Sequence, residues 1–597
     1  MGIHHQELGL PWDKPVPEEL WEKVAAYCDN DVIATEAAFH YLKADWTARQ
    51  ILADLAEMTV NDTTNSLTTR IIFGKNRKPQ GEFCYRDMSK PVYELNPEVE
   101  KFLKEACPVM MSKRHGEAKS LLPYFPGYKY EYGKSTYRGT DVGEGGNVYA
   151  QPGVWVDVAL LDIASMHPHS AIAECVFGPR FTRAFRDIVE GRVDIKHEAW
   201  DIVNNILGGK LRPYIQKVLN GEMTSGELAD ALKTAINSVY GLTAAKFENP
   251  FRDPRNVDNI VAKRGALFME DLKYEVQRLG YAVAHIKTDS IKIPNATPEI
   301  IQFVMNFGQD YGYTFEHEAT YDRMCLVNDA VYIAKYATVE RCYELYGRDY
   351  VESDSSVCKK NKKKAGKWDA TGTQFQVPYV FKTLFSKEPI DFDDTCETKS
   401  VGTALYLDMN EGMNDVTLYE TLRDIRKKSP ESMTRKEAAL CQQNQDLSDK
   451  ALDEMIAEGH CYIFVGKVGR FCPIKPGCGG GELLREGTDA HGNLKYSSAT
   501  GAKGYRWLES EMVRELGKQG DVDRNYYRGL VDDAIAEISK HGDFERFVAD
   551  EPYVSIDIPE HPIDDESDLP WYLSDRELEE FARQKAAQDE QDAFNRR

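Results

Sequence analysis

Residues 233–241 have the sequence KTAINSVYG, the most informative stretch of the chain. Its pattern predicts a helix, on which Lys233, Asn237, Tyr240 and Gly241 are spaced i, i+4, i+7 and i+8 and share one face. On that face a lysine can reach phosphates while a tyrosine meets a base. A helix of this kind can also carry its Asn and Tyr merely at the edge of a core, so the flanking segments decide its meaning.

Two aspartates lie at predicted strand ends on either side of this helix. Asp162 closes the β-branched run VWVDVALLD, and Asp289 lies at the tip of a predicted hairpin, GYAVAHIKTDSIKIPN. Phosphoryl transfer uses two metal ions about 4 Å apart, and carboxylates on rigid elements hold Mg²⁺ well. A single Asp at a strand end is most often a turn former, but a pair flanked by apolar residues predicts a two-metal site.

Together the three segments resemble the polymerase motifs of family B DNA polymerases. The second motif of that family, Lys-x-x-x-Asn-Ser-x-Tyr-Gly, is matched at every defined position. The matching residues are Lys233, Asn237, Ser238, Tyr240 and Gly241 in KTAINSVYG, Asp162, Ser165 and Pro168 in DIASMHPHSAI, and Thr288, Asp289 and Ser290 in HIKTDSIKI. The resemblance implies a template-directed polymerase of the phage type that adds dNTPs to a primer 3′-hydroxyl, with two Mg²⁺ ions as cofactors and Mn²⁺ as a substitute.

The resemblance also implies which residues act. Asp162 and Asp289 are the expected catalytic residues and, with Ile163, the expected metal ligands. The expected nucleotide-binding residues are Ile163, Ser165, Met166, His167, Lys233, Asn237, Tyr240, Gly241 and Arg212. Lys210 and Lys217 are weaker candidates for the departing phosphates.

Two positions depart from the family pattern near this site. Lys287 stands where the third motif normally has its first Asp, which puts metal affinity in doubt. His167 stands where the family has a Tyr that packs under the sugar and excludes a 2′-hydroxyl. Because histidine is smaller, discrimination against ribonucleotides is expected to be weaker.

Several segments predict contacts with primer-template DNA. YRGTDVGEGG resembles the Tyr-x-Gly-Gly element near the template, and glycines there allow close backbone approach. A Lys-x-Tyr element that grips the primer is incomplete, since Ala330 and Val331 precede Tyr332; Lys335 or the run KKNKKKAGK at 359–367 can substitute. The expected DNA-binding residues are Tyr137, Gly145, Gly146, Thr288, Ser290, Lys359, Lys360, Lys362 and Lys363.

An N-terminal segment, YCDND, resembles the third exonuclease motif, Tyr-x-x-x-Asp. Tyr27 and Asp31 at i, i+4 share a helix face. The two earlier exonuclease motifs would lie upstream of Met1, so this chain is not expected to complete a proofreading site. A nuclease acting through Tyr27 and Asp31 alone would lack the carboxylates it needs.

The composition of the chain bears on its expected partners, cysteine chemistry and location. The 597 residues carry a net charge of −23, with 13 acidic against 5 basic residues from Asp557 to Arg597. Charge distribution therefore matters more than the sum for a DNA-binding protein. The 12 cysteines show no repeating spacing, so they are expected to be free thiols, and neither a signal peptide nor a long apolar run is evident. A cytoplasmic protein, in the host cell if of phage origin, is expected, without membrane partners.

The expected fold is multidomain α+β, with the palm, fingers and thumb of a right-hand polymerase after a remnant of a ribonuclease H-like exonuclease domain. The expected boundaries are exonuclease remnant 1–45, connecting region 46–150, palm 151–177 and 246–385, fingers 178–245, thumb 386–574 and acidic helical tail 575–597. Two alternatives stay open: a catalytically silent DNA-binding remnant, and one subunit of a split replicase whose partner is an upstream exonuclease half, beside other replisome proteins.

Overall fold

The structure is a computed structural model that describes residues 10, 15–83, 125, 128–131, 134–143, 146–253, 256, 259–353, 357–410, 416–489, 492, 494–551 and 553. The chain divides into two compact units. Met1–Ala38 and Gly372–Glu537 form one, here called the five-strand unit; Phe39–Thr371 and Ile538–Arg597 form the other, the seven-strand unit. Both mix helices with strands, which confirms the α+β class.

The elements are numbered along the chain. The described strands are β1 Lys129–Glu131, β2 Lys134–Tyr137, β3 Thr140–Asp141, β4 Asn147–Ala150, β5 Gly153–Ile163, β6 His285–Thr288, β7 Ser290–Ile293, β8 Phe315–Leu326, β9 Tyr332–Tyr336, β10 Trp368–Thr371, β11 Glu397–Asp408, β12 Tyr462–Ile474, β13 Glu482–Thr488, β14 Leu494–Ser498 and β15 Arg506–Glu509. The described helices are α1 Trp21–Tyr41, α2 Lys43–Ala56, α3 Thr64–Phe73, α4 Met166–Ala173, α5 Gly178–Lys196, α6 Trp200–Val203, α7 Arg212–Leu219, α8 Ser225–Ala244, α9 Ile260–Arg278, α10 Pro298–Asp310, α11 Val339–Tyr346, α12 Arg348–Ser353, α13 Asn361–Lys364, α14 Thr373–Gln376, α15 Pro378–Phe381, α16 Val416–Arg426, α17 Arg435–Gln443, α18 Asp449–Glu458, α19 Ser510–Glu515, α20 Arg524–Ser539 and α21 Phe544–Val548. None of these helices is long and apolar enough to cross a bilayer.

The seven-stranded sheet has the order β10-β9-β8-β5-β7-β6-β4, and all neighbouring strands are antiparallel. Leu161, Ile291 and Phe315 of the sheet share a buried cluster with Phe268 of α9 and Val304 of α10. Successive residues of a strand point to opposite faces. The apolar alternation of β5 and β7 therefore buries one face under helices and turns Asp162 and Lys292 toward the other.

The helices of the seven-strand unit have an aromatic core of their own. Phe73 of α3 lies 4.6–5.8 Å, between ring centroids, from Phe177, Phe181 and Phe251. Most of these contacts are edge-to-face or tilted, the geometry that aromatic rings prefer. This core joins α2, α3, α5 and α8 into one helical body, and residues 178–245, the range expected as fingers, are almost wholly helical.

The five-strand unit is built on a second antiparallel sheet, with the order β14-β13-β11-β12-β15. Its core surrounds Trp507, which is fully buried with Leu407 and Phe471. Helices α16 and α18, inserted between β11 and β12, form a separate small cluster around Leu422 and Leu452.

The last described residues pack on the seven-stranded sheet. Buried Arg323 of β8 donates hydrogen bonds to the carbonyl oxygens of Phe547 (3.1 Å), Ala549 (3.1 Å) and Glu551 (2.6 Å). The range predicted as thumb, 386–574, therefore includes residues that belong with the seven-strand unit, and the second segment of the other unit begins at Gly372. The acidic tail predicted at 575–597 lies outside the described residues.

Candidate active site

Asp162 and Asp289 lie together at the end of the seven-stranded sheet. Strands β5 and β7 are paired with Asp162 opposite Ser290, the residue after Asp289. The Ile163 N–H donates to the carbonyl oxygen of Asp289 at 2.9 Å, which fixes the two backbones relative to each other. Two aspartates 127 positions apart in sequence thus occupy neighbouring strand ends.

The turn that carries Asp289 is tight and strained. Lys287 pairs with Ser290, and the Asp289 N–H donates to the carbonyl oxygen of Lys287 at 2.8 Å. Thr288 has a φ of 58°, a left-handed conformation that is rare for a β-branched residue. The Ser290 hydroxyl donates to the same Lys287 carbonyl at 3.2 Å. Thr288 and Ser290, predicted to contact DNA, therefore shape the turn.

Gly146 lies directly against this turn. Its φ is +130°, and a Cβ built on it would lie 2.9 Å from Cγ2, 3.1 Å from Cα and 3.2 Å from Cβ of Thr288. Asn147, the next residue, pairs with Thr288 in the β4–β6 ladder. The glycine predicted to approach DNA thus allows β4 to approach the turn that carries Asp289; Gly145 lies outside the described residues.

The two carboxyl groups have perturbed acidity. Burial, followed by the charges of Asp289 and Glu318, raises the pKa of Asp162 to about 7. Burial and Glu318 also raise the pKa of Asp289. Lys360 and Lys292 partly offset the rise at Asp162. Carboxyl groups with raised pKa values in a shared location are typical of functional sites.

Glu318 is a third acidic residue at this location, and sequence analysis did not identify it. In the β5–β8 ladder Leu160 pairs with Ala319 and Leu161 with His317, so Glu318 is the extra residue of a bulge. Bulges redirect side chains, often beside active sites. Nothing in the alternation of FEHEATYDR marks the bulge, because it depends on pairing with β5.

The acidic pair suits a divalent cation. Two close, half-buried carboxylates repel each other. A bound cation attracts both of them and so offsets this repulsion. Within the described residues there is no group of three or more His, Cys, Asp or Glu side chains that could hold a metal. Mg²⁺ is commonly held by one or two carboxylates plus phosphates and waters, which matches this donor set.

Helix α4 follows Asp162 directly and begins with an unusual residue. Ser165, the residue before the helix, has a φ of 59°, and its carbonyl oxygen accepts hydrogen bonds from the His169 backbone N–H (3.1 Å) and ring Nδ1 (3.0 Å). Met166 is buried and packs against Gly265 of α9, where a Cβ would lie 2.8 Å from its sulfur. Ile163 is also buried. The side chains of Met166 and Ile163 therefore belong to the core, and a role with nucleotide falls to their main chain.

His167 connects α4 to α8 through a ring stack. Its imidazole lies face to face with Tyr240, with centroids 4.1 Å apart and planes inclined by 6°. The Nδ1 atom of His167 is buried without a hydrogen-bond partner, and burial lowers the pKa of this histidine. The stack brings KTAINSVYG next to the strand end that carries Asp162.

Helix α8 presents the predicted nucleotide-binding face to solvent. It starts with a capping box, in which the Thr224 hydroxyl and the Glu227 side chain cap each other's backbone N–H. Lys233, Asn237 and Gly241 are exposed, whereas Ala235, Ile236 and Val239 between them are buried. The shared face predicted from spacing is therefore present. Ser238, by contrast, lies on another side, where its hydroxyl hydrogen-bonds Thr68 at 3.0 Å.

The other basic residues predicted to bind phosphates differ in whether their charge is already paired. Arg212 is exposed, although its Nε donates to the carbonyl oxygen of Asn204 at 3.0 Å. Lys210 is ion-paired with Glu57 at 2.8 Å. Arg212 is therefore better placed than Lys210 to meet a phosphate.

The lysine run at 359–367 is anchored by one buried residue. Asn361 is fully buried and exchanges hydrogen bonds of 2.7 Å with the backbone N–H and carbonyl of Thr320. Lys360 turns toward the acidic site and pairs with Glu318 at 2.8 Å. Lys359, Lys362 and Lys363 are exposed, as a DNA-backbone contact requires.

The lysine that lies beside Tyr332 is neither Lys335 nor a member of the run at 359–367, which were predicted for this position. Lys335 pairs with Asp550 at 3.2 Å and lies over Trp368. Buried Lys292 of β7 instead brings its ammonium within 5.1 Å of the Tyr332 ring centroid. Burial lowers the pKa of Lys292 to about 8.

Tyr137 is buried, contrary to the exposed position expected of a template contact. Its hydroxyl donates to Oδ1 of Asp271 in α9 at 2.7 Å, and Nε of Arg138 donates to the same oxygen at 2.8 Å. Nearby, Nδ2 of Asn147 donates to Glu270 at 2.8 Å. These bonds tie the segment before β5 to the helix beneath the sheet.

Tyr27 and Asp31 lie on α1, which has no buried residue. Tyr27 is half-buried and Asp31 is exposed. The helix confirms the local secondary structure predicted for YCDND, and its exonuclease character stays a prediction.

The comparisons with known proteins find similarity among solved structures. No family model matches the chain, and no curated protein matches it. A solved structure, the family B DNA polymerase from the hyperthermophilic archaeon Pyrobaculum calidifontis, is similar with 13% sequence identity and a TM-score of 0.35 over 88% of this chain. The match spans 57% of that polymerase.

Proposed function

We propose that this chain is a DNA-directed DNA polymerase of family B, of the phage type, which extends a primer with dNTPs. One observation carries the proposal. Asp162 and Asp289 meet at neighbouring strand ends, and the stack of His167 on Tyr240 brings the exposed Lys233 of α8 into the same region. A metal-binding acidic pair beside a cationic, aromatic helix face is what nucleotidyl transfer requires.

In this proposal the seven-stranded sheet is the palm and α5–α8 are the fingers. The C-terminal part of the five-strand unit, from Gly372 on, supplies the thumb, and residues 1–45 are the end of an exonuclease domain. Primer-template DNA is the partner, with Lys359, Lys362 and Lys363 against its backbone. Replication of viral DNA in the host cytoplasm is the proposed setting.

Each exposed group of the site has a role in binding the nucleotide. Lys233 and Arg212 neutralise the departing phosphates, Asn237 and Tyr240 meet the nascent base pair, and His167 lies beneath the sugar. Two Mg²⁺ ions held by Asp162 and Asp289 would acidify the primer 3′-hydroxyl and neutralise charge at the α-phosphate. Holding the reactants in register contributes most of the remaining rate enhancement.

Primer extension on a primed template, with Mg²⁺ and four dNTPs, tests the proposal. The Asp289→Asn variant keeps the shape of the side chain and should lose extension by at least about 1000-fold, since a metal ligand of the reaction is removed. Asp310→Asn, at the exposed end of α10, is the matched control and should extend normally.

The alternatives give different outcomes in the same assay. Extension that requires a second polypeptide with exonuclease acids would indicate a split replicase. DNA binding without extension under any condition, by a folded wild-type chain, would reject the polymerase in favour of a silent DNA-binding protein.

A further inference from the structure

Two buried cysteines face each other across strands in the five-strand unit. Glu397 of β11 pairs with Phe471 of β12, so the next pair along this antiparallel ladder is Cys396 with Cys472. Their sulfur atoms are 3.3 Å apart. Directly opposed residues of antiparallel strands have Cα atoms about 4.5–5.5 Å apart, which lies within the range of about 4.4–6.8 Å that a disulfide spans. Bond formation therefore requires little backbone movement.

The two thiols are not equivalent. Cys396 lines an open cleft of about 1390 Å³, whereas Cys472 is fully buried. The Cys396 thiol donates to the carbonyl oxygen of Phe392 at 3.3 Å, which leaves its sulfur to accept the Cys472 S–H. This hydrogen bond lowers the pKa of Cys396, as do the nearby charges of Arg470 and Arg514, whereas burial and the Asp393 carboxylate partly oppose the shift.

The two arginines are held beside the cysteine pair by one carboxylate. Arg470 and Arg514 donate to Oδ1 of Asp393 at 2.9 and 2.5 Å. Asp393 lies three residues before Cys396. Neighbouring cations and a donated hydrogen bond favour the thiolate, which is the reactive form of cysteine. Cys396 is thus the nucleophile of the pair and Cys472 the resolving thiol.

We propose that Cys396 and Cys472 form an oxidation site for hydrogen peroxide, which converts the dithiol into an intrachain disulfide. The Cys396 thiolate attacks one peroxide oxygen, the O–O bond breaks, and the leaving hydroxide takes a proton to become water. The Cys472 sulfur then attacks the Cys396 sulfenic sulfur and expels the second oxygen as water. One peroxide is reduced to two waters, and two thiols are oxidised to one disulfide.

The bond would close a loop that contains α16–α18. It would tie the beginning of β11 to β12 at the wall of the cleft. This site does not depend on the polymerase activity proposed above, and its test uses no DNA.

The test is a titration of the reduced, full-length chain with hydrogen peroxide, followed by alkylation, non-reducing digestion and mass spectrometry. The expected product is a peptide pair joined through Cys396 and Cys472, 2 Da lighter than the two reduced peptides, formed before any loss of circular dichroism. Cys325, which is fully buried in the other unit, serves as the internal control and should stay reduced.

Two variants separate the steps. Cys472→Ser should stop at a sulfenic acid on Cys396 that dimedone labels, and Cys396→Ser should leave Cys472 unreacted. Wild-type protein that shows a dimedone adduct but no bridge, or no reaction at Cys396 until the chain unfolds, would overturn the proposal. Melting temperatures of both serine variants in the reduced state show that they remain folded.

Discussion

Replacing Gly146 by alanine should impair catalysis through the position of Asp289. Gly146 has a φ of +130°, and an added Cβ would lie 2.9 Å from Cγ2 and 3.1 Å from Cα of Thr288. The clash with the methyl group can be relieved by rotation of the Thr288 side chain, but the clash with the backbone carbon cannot. The turn must therefore move by a few tenths of an ångström, and Asp289 is the next residue along it.

The substitution should lower both the stability of the fold and the rate of catalysis. A non-glycine residue in such a backbone conformation costs about 1–3 kcal/mol. Because a misplacement of about 1 Å can reduce catalysis by about 100-fold, a shift of a few tenths of an ångström at Asp289 should lower kcat by about 10-fold. The dissociation constant for primer-template DNA should stay within about 2-fold, since the phosphate contacts that dominate DNA affinity are untouched.

Single-turnover extension and DNA-binding titrations measure these quantities. Gly280→Ala is the matched control, because Gly280 has a φ of +86° and no atom within 4 Å of an added Cβ. It should lose comparable stability but keep its kcat. Thr288→Gly removes the side-chain carbons that the new methyl would strike, and a glycine at this positive φ lets the backbone of the turn give way without moving Asp289. The Gly146→Ala/Thr288→Gly double variant should therefore recover part of the lost rate. Equal losses in the Gly146 and Gly280 variants, or no recovery in the double variant, would refute the positional explanation.

Three further predictions address acidity, sugar selection and DNA contact. The pKa of Asp162 rises from 3.8 in the unfolded chain to about 7 in the fold. Protonation therefore stabilises the fold as pH falls through 7, by at most about 4 kcal/mol. Asp162→Asn should raise the melting temperature most at pH 8, and by less and less as the pH falls from about 7 towards the unfolded pKa of 3.8; it should also abolish stabilisation by Mg²⁺, and equal melting temperatures at pH 8 would contradict this. His167→Tyr should raise the ratio of kcat/KM for dNTPs over rNTPs by at least about 10-fold, and an unchanged ratio would mean that this ring does not contact the sugar. Replacing Lys362 and Lys363 by alanine should reduce the slope of log K against log salt by about 2, whereas an unchanged slope would place this loop away from DNA.

The sequence was sufficient to predict features that depend on local pattern. The spacing within KTAINSVYG predicted the exposed face of Lys233, Asn237 and Gly241, because helical periodicity fixes it. The run ending at Asp162 and the hairpin at Asp289 predicted strand ends, because β-branched alternation and a polar tip are local signals. Their meeting was an expectation from chemistry and family resemblance, and the β5–β7 register brings the two backbones together.

What escaped prediction depends on contacts between distant segments. Glu318 reaches the acidic site only because β8 bulges against β5. Lys360 turns inward because buried Asn361 anchors the lysine run to Thr320, whereas the composition of the run predicted only a contact with the DNA backbone. Tyr137 was expected near DNA, but its partner is Asp271, 134 positions away. A single sequence contains no local signal for such pairings.

These distant contacts also determine which experiments separate chemistry from positioning. Substituting Asp289 removes a proposed metal ligand and tests only whether the carboxylate is needed. The location of that carboxylate is set by three segments: β7 that carries it, β5 through the Ile163–Asp289 backbone bond, and β4 through Gly146. Gly146 has no side chain with which to bind a metal or a nucleotide. A catalytic defect at Gly146 that Thr288→Gly relieves would therefore come from geometry alone, and it would show that this turn is part of the active site even where no chemistry occurs.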